Sequence, residues 1–384
     1  MMPPVSESTT CETIQSEAAL RELRDELARV ADHPGAASGI VQHPDWLLYE
    51  LEWRGDIMSP YLIVVRDGRG QVIGYAPMLA YVHHARVALG SYYLQIYRGR
   101  VLRLLGSGVV AAEAHRGLVE RQVATALLHD RRARVIRIQE TSLPNPLAYT
   151  MSMGAHRFSL VQSNMLDQLN WSIYPQPSLA DYLASLGSKK RNDLSRRLRN
   201  VYKKLGDQAQ LRIFDTPESV DEYGALMNQI YARSWHADDM PIDWQTPARL
   251  TLFRKLAQDG RLIGHMLMLG ARPIAYVHGY RLAGRYLLDD TGYDEEFSSL
   301  GVGSSLIFQA VQDVMTRFPG ETIDFGYGDN QYKRVLANRQ TPCGSLYLVR
   351  GSVPRARFGV IAPLRSIYRS LHGMRRREQV EGAG

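Results

Sequence analysis

Two segments of the chain share one arrangement of apolar and polar positions: an apolar strand, a tight turn, and a second strand with glycine or alanine before a tyrosine. The first segment reads LIVVRDGRGQVIGYAPML from residue 62, and the second reads HMLMLGARPIAYVHGY from residue 265. In both halves the pattern continues as strand, helix and strand. This repetition predicts that one α/β unit has been duplicated. Two unrelated hairpins are the alternative, because hairpins of this kind are common.

The pattern also predicts where the units and their main elements lie. Pro175 and Pro177 stand in a polar gap, which indicates a boundary, so we place the two units at residues 16–172 and 178–350. The first unit is expected to hold a strand at 101–105. The second is expected to hold a basic helix from Lys189, then a three-strand meander, then a helix at 302–317.

Positive charge is concentrated in two short segments of a chain whose formal net charge is +7. Residues 186–204 contain eight lysines and arginines and one aspartate, and residues 351–384 contain seven arginines and two glutamates. The rest of the chain is net negative. Such local patches favour anionic partners, including phosphates, nucleic acid and anionic membrane surfaces.

Composition excludes several classes of protein. The two cysteines cannot form a disulfide framework or a cysteine-rich zinc site, and no His/Asp/Glu cluster has metal-ligand spacing, so we expect no metal. The most apolar long stretch, 261–279, is interrupted by two arginines, a proline and two histidines and cannot span a membrane. The first residues lack the pattern of a signal peptide. We therefore expect a cytoplasmic protein.

A glycine loop, SSLGVGSSLIFQAVQDVM from residue 298, joins the meander to the helix at 302–317. A helix N-terminus offers free backbone N–H groups, and glycine allows a pyrophosphate to approach them. We therefore expect Gly301, Val302 and Gly303 to bind phosphate groups, with added hydroxyl donors from Ser304 and Ser305. A simple tight turn is the alternative. The loop lacks the third glycine of a dinucleotide fingerprint and the lysine of a Walker loop.

A meander followed by Gly-x-Gly and a helix resembles the coenzyme A site of GNAT acyltransferases. With SLGSKKRNDLSRRLRNVYKKLGD from residue 185 and IDFGYGDNQYKR from residue 323, residues 45–350 resemble the BioF2-like, CelD-type branch, which is similar in architecture to FemAB transferases. The resemblance implies an α/β (α+β) fold of two tandem GNAT-like units. Each would be a mixed, mostly antiparallel sheet flanked by helices, with a degenerate first unit and acyl-CoA as co-substrate of the second.

The stretch DFGYGDNQYKR places a carboxylate, a tyrosine and a lysine beside one strand end. Acyl transfer to an amine needs a base, an oxyanion donor and a proton for the leaving thiolate. We assign these tasks to Asp324 as base, Lys333 as oxyanion or phosphate partner and Tyr332 as proton donor. The resemblance favours Lys333, since FemAB-like enzymes carry a catalytic cation in this segment. A turn cap at Asp324 and a solvated lysine are the alternatives.

Further candidates lie on the meander and on the preceding helices. Of the adjacent Asp289 and Asp290, one should face the cleft, and we choose Asp290. His278 is a possible base near neutral pH, although a core histidine is the commoner outcome. Four residues are expected to bind substrate, against the alternatives of core packing and a solvated helix face: Trp235, His236, Lys189 and Arg191.

The C-terminal segment, residues 355–377, predicts a basic amphipathic helix. Its apolar positions recur at helical spacing from Val360 to Met374 and are bordered by arginines. Such a helix can lie on an anionic membrane surface. It can equally dock on the protein itself or on a second subunit.

The function that we expect is acyl transfer from acyl-CoA to an amine, or less readily a hydroxyl, of a sugar, lipid or envelope polysaccharide precursor. The protein would be cytoplasmic or peripheral on the inner face of the plasma membrane. A FemAB-like transferase that uses aminoacyl-tRNA is one alternative. A catalytically inert GNAT-like scaffold for polysaccharide or lipid assembly is another.

Overall fold

A computed structural model describes residues 9–36, 39–89, 92–153, 158–163, 168–235, 237 and 242–367. The chain divides into two compact units, one formed by residues 1–169 with 341–384 and the other by residues 170–340. The last long strand begins in the second unit and continues in the first. None of the helices in these ranges is long and apolar enough to cross a membrane.

The N-terminal part of the chain forms most of the helices and strands of the first unit. Its elements up to residue 162 are β1 Thr10–Ile14, α1 Glu17–Ala31, α2 Pro44–Arg54, β2 Met58–Pro60, β3 Leu62–Arg66, β4 Val72–Ala76, β5 Met78–Leu89, β6 Tyr92–Leu104, β7 Val110–Ala111, α3 Glu113–His129, β8 Val135–Ser142, α4 Pro146–Ser152 and β9 Ser159–Gln162.

The second unit follows, and the chain then returns to the first. The remaining elements are β10 Gln168–Ile173, α5 Leu179–Ser185, α6 Ser188–Leu205, β11 Ala209–Phe214, α7 Val220–Tyr231, α8 Pro247–Gln258, β12 Leu262–Leu269, β13 Arg272–Leu282, β14 Arg285–Tyr293, α9 Val302–Arg317, β15 Thr322–Tyr327, α10 Gln331–Leu336, β16 Arg339–Val349 and α11 Ser352–Gly359. Short 3₁₀ turns at Ile40–Gln42, Gly206–Gln208, Pro217–Ser219 and Glu295–Leu300 connect them.

In the second unit the strand order is β11, β12, β13, β14, β15, β10. All neighbours are antiparallel except β14 and β15, which run parallel because α9 crosses between them. One face of the sheet buries Ala275 and Val277 against α9. The opposite face carries His278, which packs against aromatic side chains near α7 and α8. The predicted mixed, mostly antiparallel sheet with flanking helices is therefore confirmed.

The first unit repeats part of this order. The β3–β4 hairpin turns at Asp67, whose carboxylate accepts hydrogen bonds from the backbone of Arg69 and Gln71. Strand β7 pairs with β4, and α3 and β8 follow. The sequence hairpin, strand, helix, strand thus occurs in both units. The first unit differs by the long β5–β6 hairpin inserted after β4, of which the sequence pattern predicted only the strand at 101–105.

Candidate active site

The glycine loop forms a sharp turn between β14 and α9. Gly301 has φ +70°, a left-handed conformation that favours glycine, and α9 begins at the next residue. A Cβ on Gly303 would lie 2.7 Å from Cδ1 of Tyr293, the last residue of β14. Glycine at 303 therefore lets the first turn of α9 pack directly on the strand end. The N–H groups of that first turn have no partner within the helix.

The two serines of the loop differ in their surroundings. Ser304 is exposed, and its hydroxyl donates to the Gly301 carbonyl at 3.1 Å. Ser305 is 5% exposed, and among the described residues its hydroxyl has no hydrogen-bond partner. Ser304 is therefore the serine of the pair that a ligand at the helix N-terminus could reach from solvent.

A cluster of ion pairs holds the chain just before the glycine loop. The sequence did not predict this cluster. Asp294 is 3% exposed and its carboxylate lies 2.9 Å from Arg233 Nε and 2.7 Å from Arg272 Nη2. It also accepts a hydrogen bond from the backbone of Glu296 at 3.2 Å. The N–H of Glu295 donates to the Arg233 carbonyl. These contacts tie the 3₁₀ turn Glu295–Leu300 to the residues that follow α7.

A β-bulge in β14 redirects the aspartates of the meander. His278 pairs with Asp290, whereas the next residue of β13 pairs with Leu288, so Asp289 is the extra residue. Bulges turn side chains away from strict alternation and often lie beside active sites. The carboxylate of Asp290 accepts hydrogen bonds from the Tyr276 hydroxyl and the Thr291 N–H, both at 2.9 Å. Burial, and next the charge of Asp290, raise the pKa of Tyr276.

Asp324 is buried in the middle of β15, where it anchors the last residues of the strand. Its Oδ1 accepts hydrogen bonds from Asn170 Nδ2 at 3.0 Å and from the Gly326 N–H at 2.9 Å. Its Oδ2 lies 3.3 Å from Arg285 Nη1. The contacts are those of a turn cap, the alternative that the sequence left open. They also fix where the turn and its neighbouring side chains lie.

Lys333 holds the same turn from the other side. Its side chain is buried, and its Nζ donates to the Tyr327 carbonyl at 2.6 Å and lies 3.4 Å from the Gly326 carbonyl oxygen. Gly326 and Gly328 both have positive φ, which shapes the turn between the two anchors. Asp324 and Lys333 both contact the backbone of residues 326–327.

Tyr332 lies beside this turn on α10. Its ring meets Phe325 edge-on with a centroid distance of 5.8 Å. Burial raises its pKa to about 12; a hydrogen bond from Asn330 lowers the pKa, and the charge of Asp290 raises it. The phenol is thus protonated at neutral pH and lies within the electrostatic influence of Asp290. The structure brings Tyr332, Lys333, Asp324 and Asp290 into one region of the second unit.

His278 has the surroundings of a core histidine. It is fully buried, its Nδ1 lies 3.0 Å from the Tyr223 hydroxyl and its Nε2 lies 2.8 Å from the Tyr280 hydroxyl. Phe253 and Trp244 pack against the ring. Burial, followed by the charge of Arg249, lowers its pKa to about 3. The ring is therefore neutral at ordinary pH, with both nitrogens engaged.

The substrate-binding candidates are placed on two helices. Trp235 follows α7 and is 52% exposed, and His236 lies outside the described residues. Lys189 and Arg191 are in the first turn of α6, which packs on α9 through a hydrogen bond from Tyr202 to Gln309 at 2.9 Å. Asp193 pairs with Arg196 and Arg197. Six other cations of α6 have no ion pair within the described ranges: Lys189, Lys190, Arg191, Arg199, Lys203 and Lys204.

Among the residues that the structure describes, no three His, Cys, Asp or Glu side chains lie close enough to hold a metal ion.

Comparison with known proteins relates part of the chain to one family. Residues 188–334, from α6 to α10, match the family model of an acetyltransferase (GNAT) domain. Among curated proteins, no relative matches the sequence. The matched segment, which includes the glycine turn, the bulged strand and the turn after β15, is thus similar to a GNAT acetyltransferase domain.

Solved structures extend the likeness to most of the chain. FemX is 12% identical, with a TM-score of 0.55, over 88% of this chain and 97% of its own. The C-terminal domain (DUF2156) of a putative lysylphosphatidylglycerol synthetase from Agrobacterium fabrum is 10% identical, with a TM-score of 0.55, over 88% and 95%. L-PGS from Bacillus licheniformis is 12% identical, with a TM-score of 0.50, over 84% and 96%. These identities show the fold alone, and the architecture is GNAT- and FemAB-like, as the sequence predicted.

Proposed function

We propose that the protein is an acyl-CoA-dependent N-acyltransferase whose donor site is the turn at Gly301–Ser305. The observation that supports this best is the left-handed Gly301 followed at once by α9, with Gly303 packed on the end of the bulged strand β14. A helix N-terminus with unpaired backbone N–H groups suits a pyrophosphate. The acceptor that we propose is an amine, or less readily a hydroxyl, of a sugar, a lipid or an envelope polysaccharide precursor.

The reaction forms a C–N bond at the thioester carbonyl and breaks the C–S bond. The ammonium proton of the acceptor must leave before attack, and we assign its acceptance to Asp290 or Asp324. The departing thiolate gains a proton, which we assign to Tyr332 because its phenol stays protonated at neutral pH. Lys333 positions the turn at 326–327 through its carbonyl contacts. Trp235, Lys189 and Arg191 remain candidates for substrate contact.

Substitutions at the exposed Ser304 test the donor site without disturbing the core. A carboxylate in the first turn of a helix stabilises the helix but repels a pyrophosphate. We expect Ser304→Glu to fold normally and to lose stabilisation by CoA, acetyl-CoA and a long-chain acyl-CoA in thermal unfolding. Ser304→Gln, of matched size without the charge, should keep it. For the unmodified chain, ligand at 100 times its dissociation constant adds about 2.7 kcal/mol to the free energy of unfolding.

The outcomes separate the proposal from its alternatives. Equal stabilisation of both variants by CoA would place the ligand elsewhere, and no stabilisation of the unmodified chain would argue against acyl-CoA as donor. Release of thiol from acyl-CoA in the presence of an amine distinguishes an enzyme from an inert scaffold. Loss of that release in Asp324→Asn, Asp290→Asn or Lys333→Ala would then identify the groups involved.

A FemAB-like transferase using aminoacyl-tRNA is the second candidate, and the unpaired cations of α6 favour it. Six lysines and arginines with no ion pair in the described ranges suit a polyanion. Binding of tRNA that weakens steeply with salt and is lost in Lys189→Ala/Arg191→Ala would support this candidate. Binding without a salt dependence would count against it.

A further inference from the structure

The β5–β6 hairpin of the first unit extends beyond the sheet to which it belongs. Strand β2 pairs with β5 only at residues 79–81, and β8 pairs with β6 only at residues 102–104. In the described part of the chain, residues 82–89 of β5 and 92–101 of β6 pair only with each other. From Met78 to Leu104 the sequence contains four arginines, two histidines and no aspartate or glutamate.

One face of this extension is cationic with exposed apolar side chains. Val82 pairs with Arg100, His84 with Arg98, and Arg86 with Gln95, so these side chains lie on the same face. Arg86 and Arg98 are exposed and have no ion pair among the described residues. On this face Val82 is 61% exposed, and Tyr93, which pairs with Ala88, is 71% exposed.

The opposite face is covered by the C-terminal helices. Phe358 of α11 packs on Tyr97 with a centroid distance of 5.5 Å, and Ile361 is buried in the same cluster. The expected helix at 355–377 is interrupted at residue 360, and residues 361–367 are helical. Its apolar stripe therefore docks in part on the protein itself, one of the alternatives considered above. The rest of that expected helix, 368–377, lies outside the described residues.

The helical segment leaves other side chains in solvent. Val360 is 39% and Ile367 57% exposed, and residues 352–367 contain three arginines and no acid. Of the four arginines of the hairpin, Arg103 has an ion pair with Glu50. The exposed Arg86, Arg98 and Arg100 have no ion pair among the described residues, and such a local excess of positive charge favours an anionic partner.

We propose that the face of the β5–β6 hairpin that carries Val82, Arg86, Arg98 and Arg100 is a surface that binds an anionic phospholipid bilayer. Arginines would meet lipid phosphates, while Val82 would enter the interfacial region, where Tyr93 is also favoured. A nucleic acid would neutralise the arginines but leave the Val82 side chain in water. The mixture of arginines with exposed Val82 and Tyr93 therefore favours a bilayer.

Flotation of the intact chain with vesicles tests the proposal. Vesicles of phosphatidylglycerol mixed with phosphatidylcholine should carry the protein, and vesicles of phosphatidylcholine alone should not. The variant Arg86→Ala/Arg98→Ala should partition about thirtyfold more weakly, at about 1 kcal/mol for each arginine near the surface. The matched control is Arg69→Ala/Arg131→Ala, which removes two exposed arginines elsewhere in the same unit. Tyr93→Ser should weaken partition without changing its salt dependence.

Several results would overturn the proposal. One is failure of the unmodified chain to float with anionic vesicles, and another is equal flotation with neutral ones. Equal partition of the hairpin variant and its control would remove the hairpin from the interaction. Binding of tRNA that depends on Arg86 and Arg98, without vesicle binding, would assign the surface to nucleic acid. None of these readouts requires acyl transfer, so the inference stands or falls separately from the proposed function.

Discussion

Removal of the Asp294 carboxylate should loosen the glycine turn and reduce the stability of the second unit. Asp294 joins three segments that are distant in sequence, namely the residues after α7, the start of β13 and the 3₁₀ turn before Gly301. Asp294→Asn keeps the shape and an amide oxygen for the backbone of Glu296 but loses the charge. Asp294→Ala loses both.

The magnitude follows from burial. The aspartate is 3% exposed, so its loss leaves two guanidinium groups without their shared carboxylate. The side chains of Arg233 and Arg272 are 37% and 38% exposed, so water can solvate both guanidinium groups after the carboxylate is removed. The destabilisation should therefore be smaller than for breaking a fully buried ion pair. We expect about 1–2 kcal/mol for Asp294→Asn. Loss of the helix cap adds about 1 kcal/mol in Asp294→Ala.

Chemical denaturation measures these changes as shifts of the midpoint at constant slope. Glu296→Gln is the matched control, because it removes the same charge from an exposed partner of Arg272 and should leave stability nearly unchanged. If the donor site is at the turn, Asp294→Asn should also weaken CoA binding more than the control does. An Asp294→Asn midpoint equal to that of Glu296→Gln would refute the argument that burial, and not charge alone, makes this cluster important.

Three further changes have outcomes fixed by local geometry. Gly303→Ala should lower the free energy of unfolding by about 1 kcal/mol, because the clash of the new Cβ with Tyr293 outweighs the gain in helix propensity. The control Gly108→Ala places its Cβ in open space and should not destabilise the protein. His278 has a folded pKa of about 3, so below pH 6.5 only the unfolded chain gains its proton, and stability falls by up to about 1.4 kcal/mol per pH unit. His278→Gln should show a shallower loss between pH 6.5 and 5, and an unchanged slope would contradict that assignment. Cys343 is buried and Cys11 exposed, so a thiol reagent should modify one cysteine in the folded protein and the second only on unfolding.

The elements that sequence predicted best are those whose signals are local. The helix predicted at 302–317 is α9, Val302–Arg317, because Gly301 and Gly303 mark its start and apolar spacing marks its length. The meander could be predicted because its strands are apolar and its turns contain glycine. The β5–β6 hairpin could not be predicted, because its exposed face alternates arginine with apolar residues. Only the end near residue 101 has the pattern of a buried strand.

The parts of the site that were missed depend on contacts across long stretches of chain. Asp294 looks like a loop residue in sequence, and nothing near it indicates that Arg233 and Arg272 converge on its carboxylate. His278 could not be distinguished from a catalytic base for the same reason. Its neighbours Tyr223 and Phe253 come from α7 and α8, and only the packing of those helices on the sheet makes the ring a buried, neutral one.

The bulge at Asp289 was not predicted, although the sequence contains one local signal of it. Strict alternation predicts that Asp289 and Asp290 face opposite sides of the sheet, but it assumes a continuous ladder. Gly279 stands inside the facing strand, and a Cβ there would lie 2.4 Å from the Tyr286 ring and 2.6 Å from the Leu287 carbonyl oxygen. An isolated glycine within a strand pattern indicates a bulge or a close backbone approach. Here Gly279 marks both, because the register shift lies between His278 and Gly279.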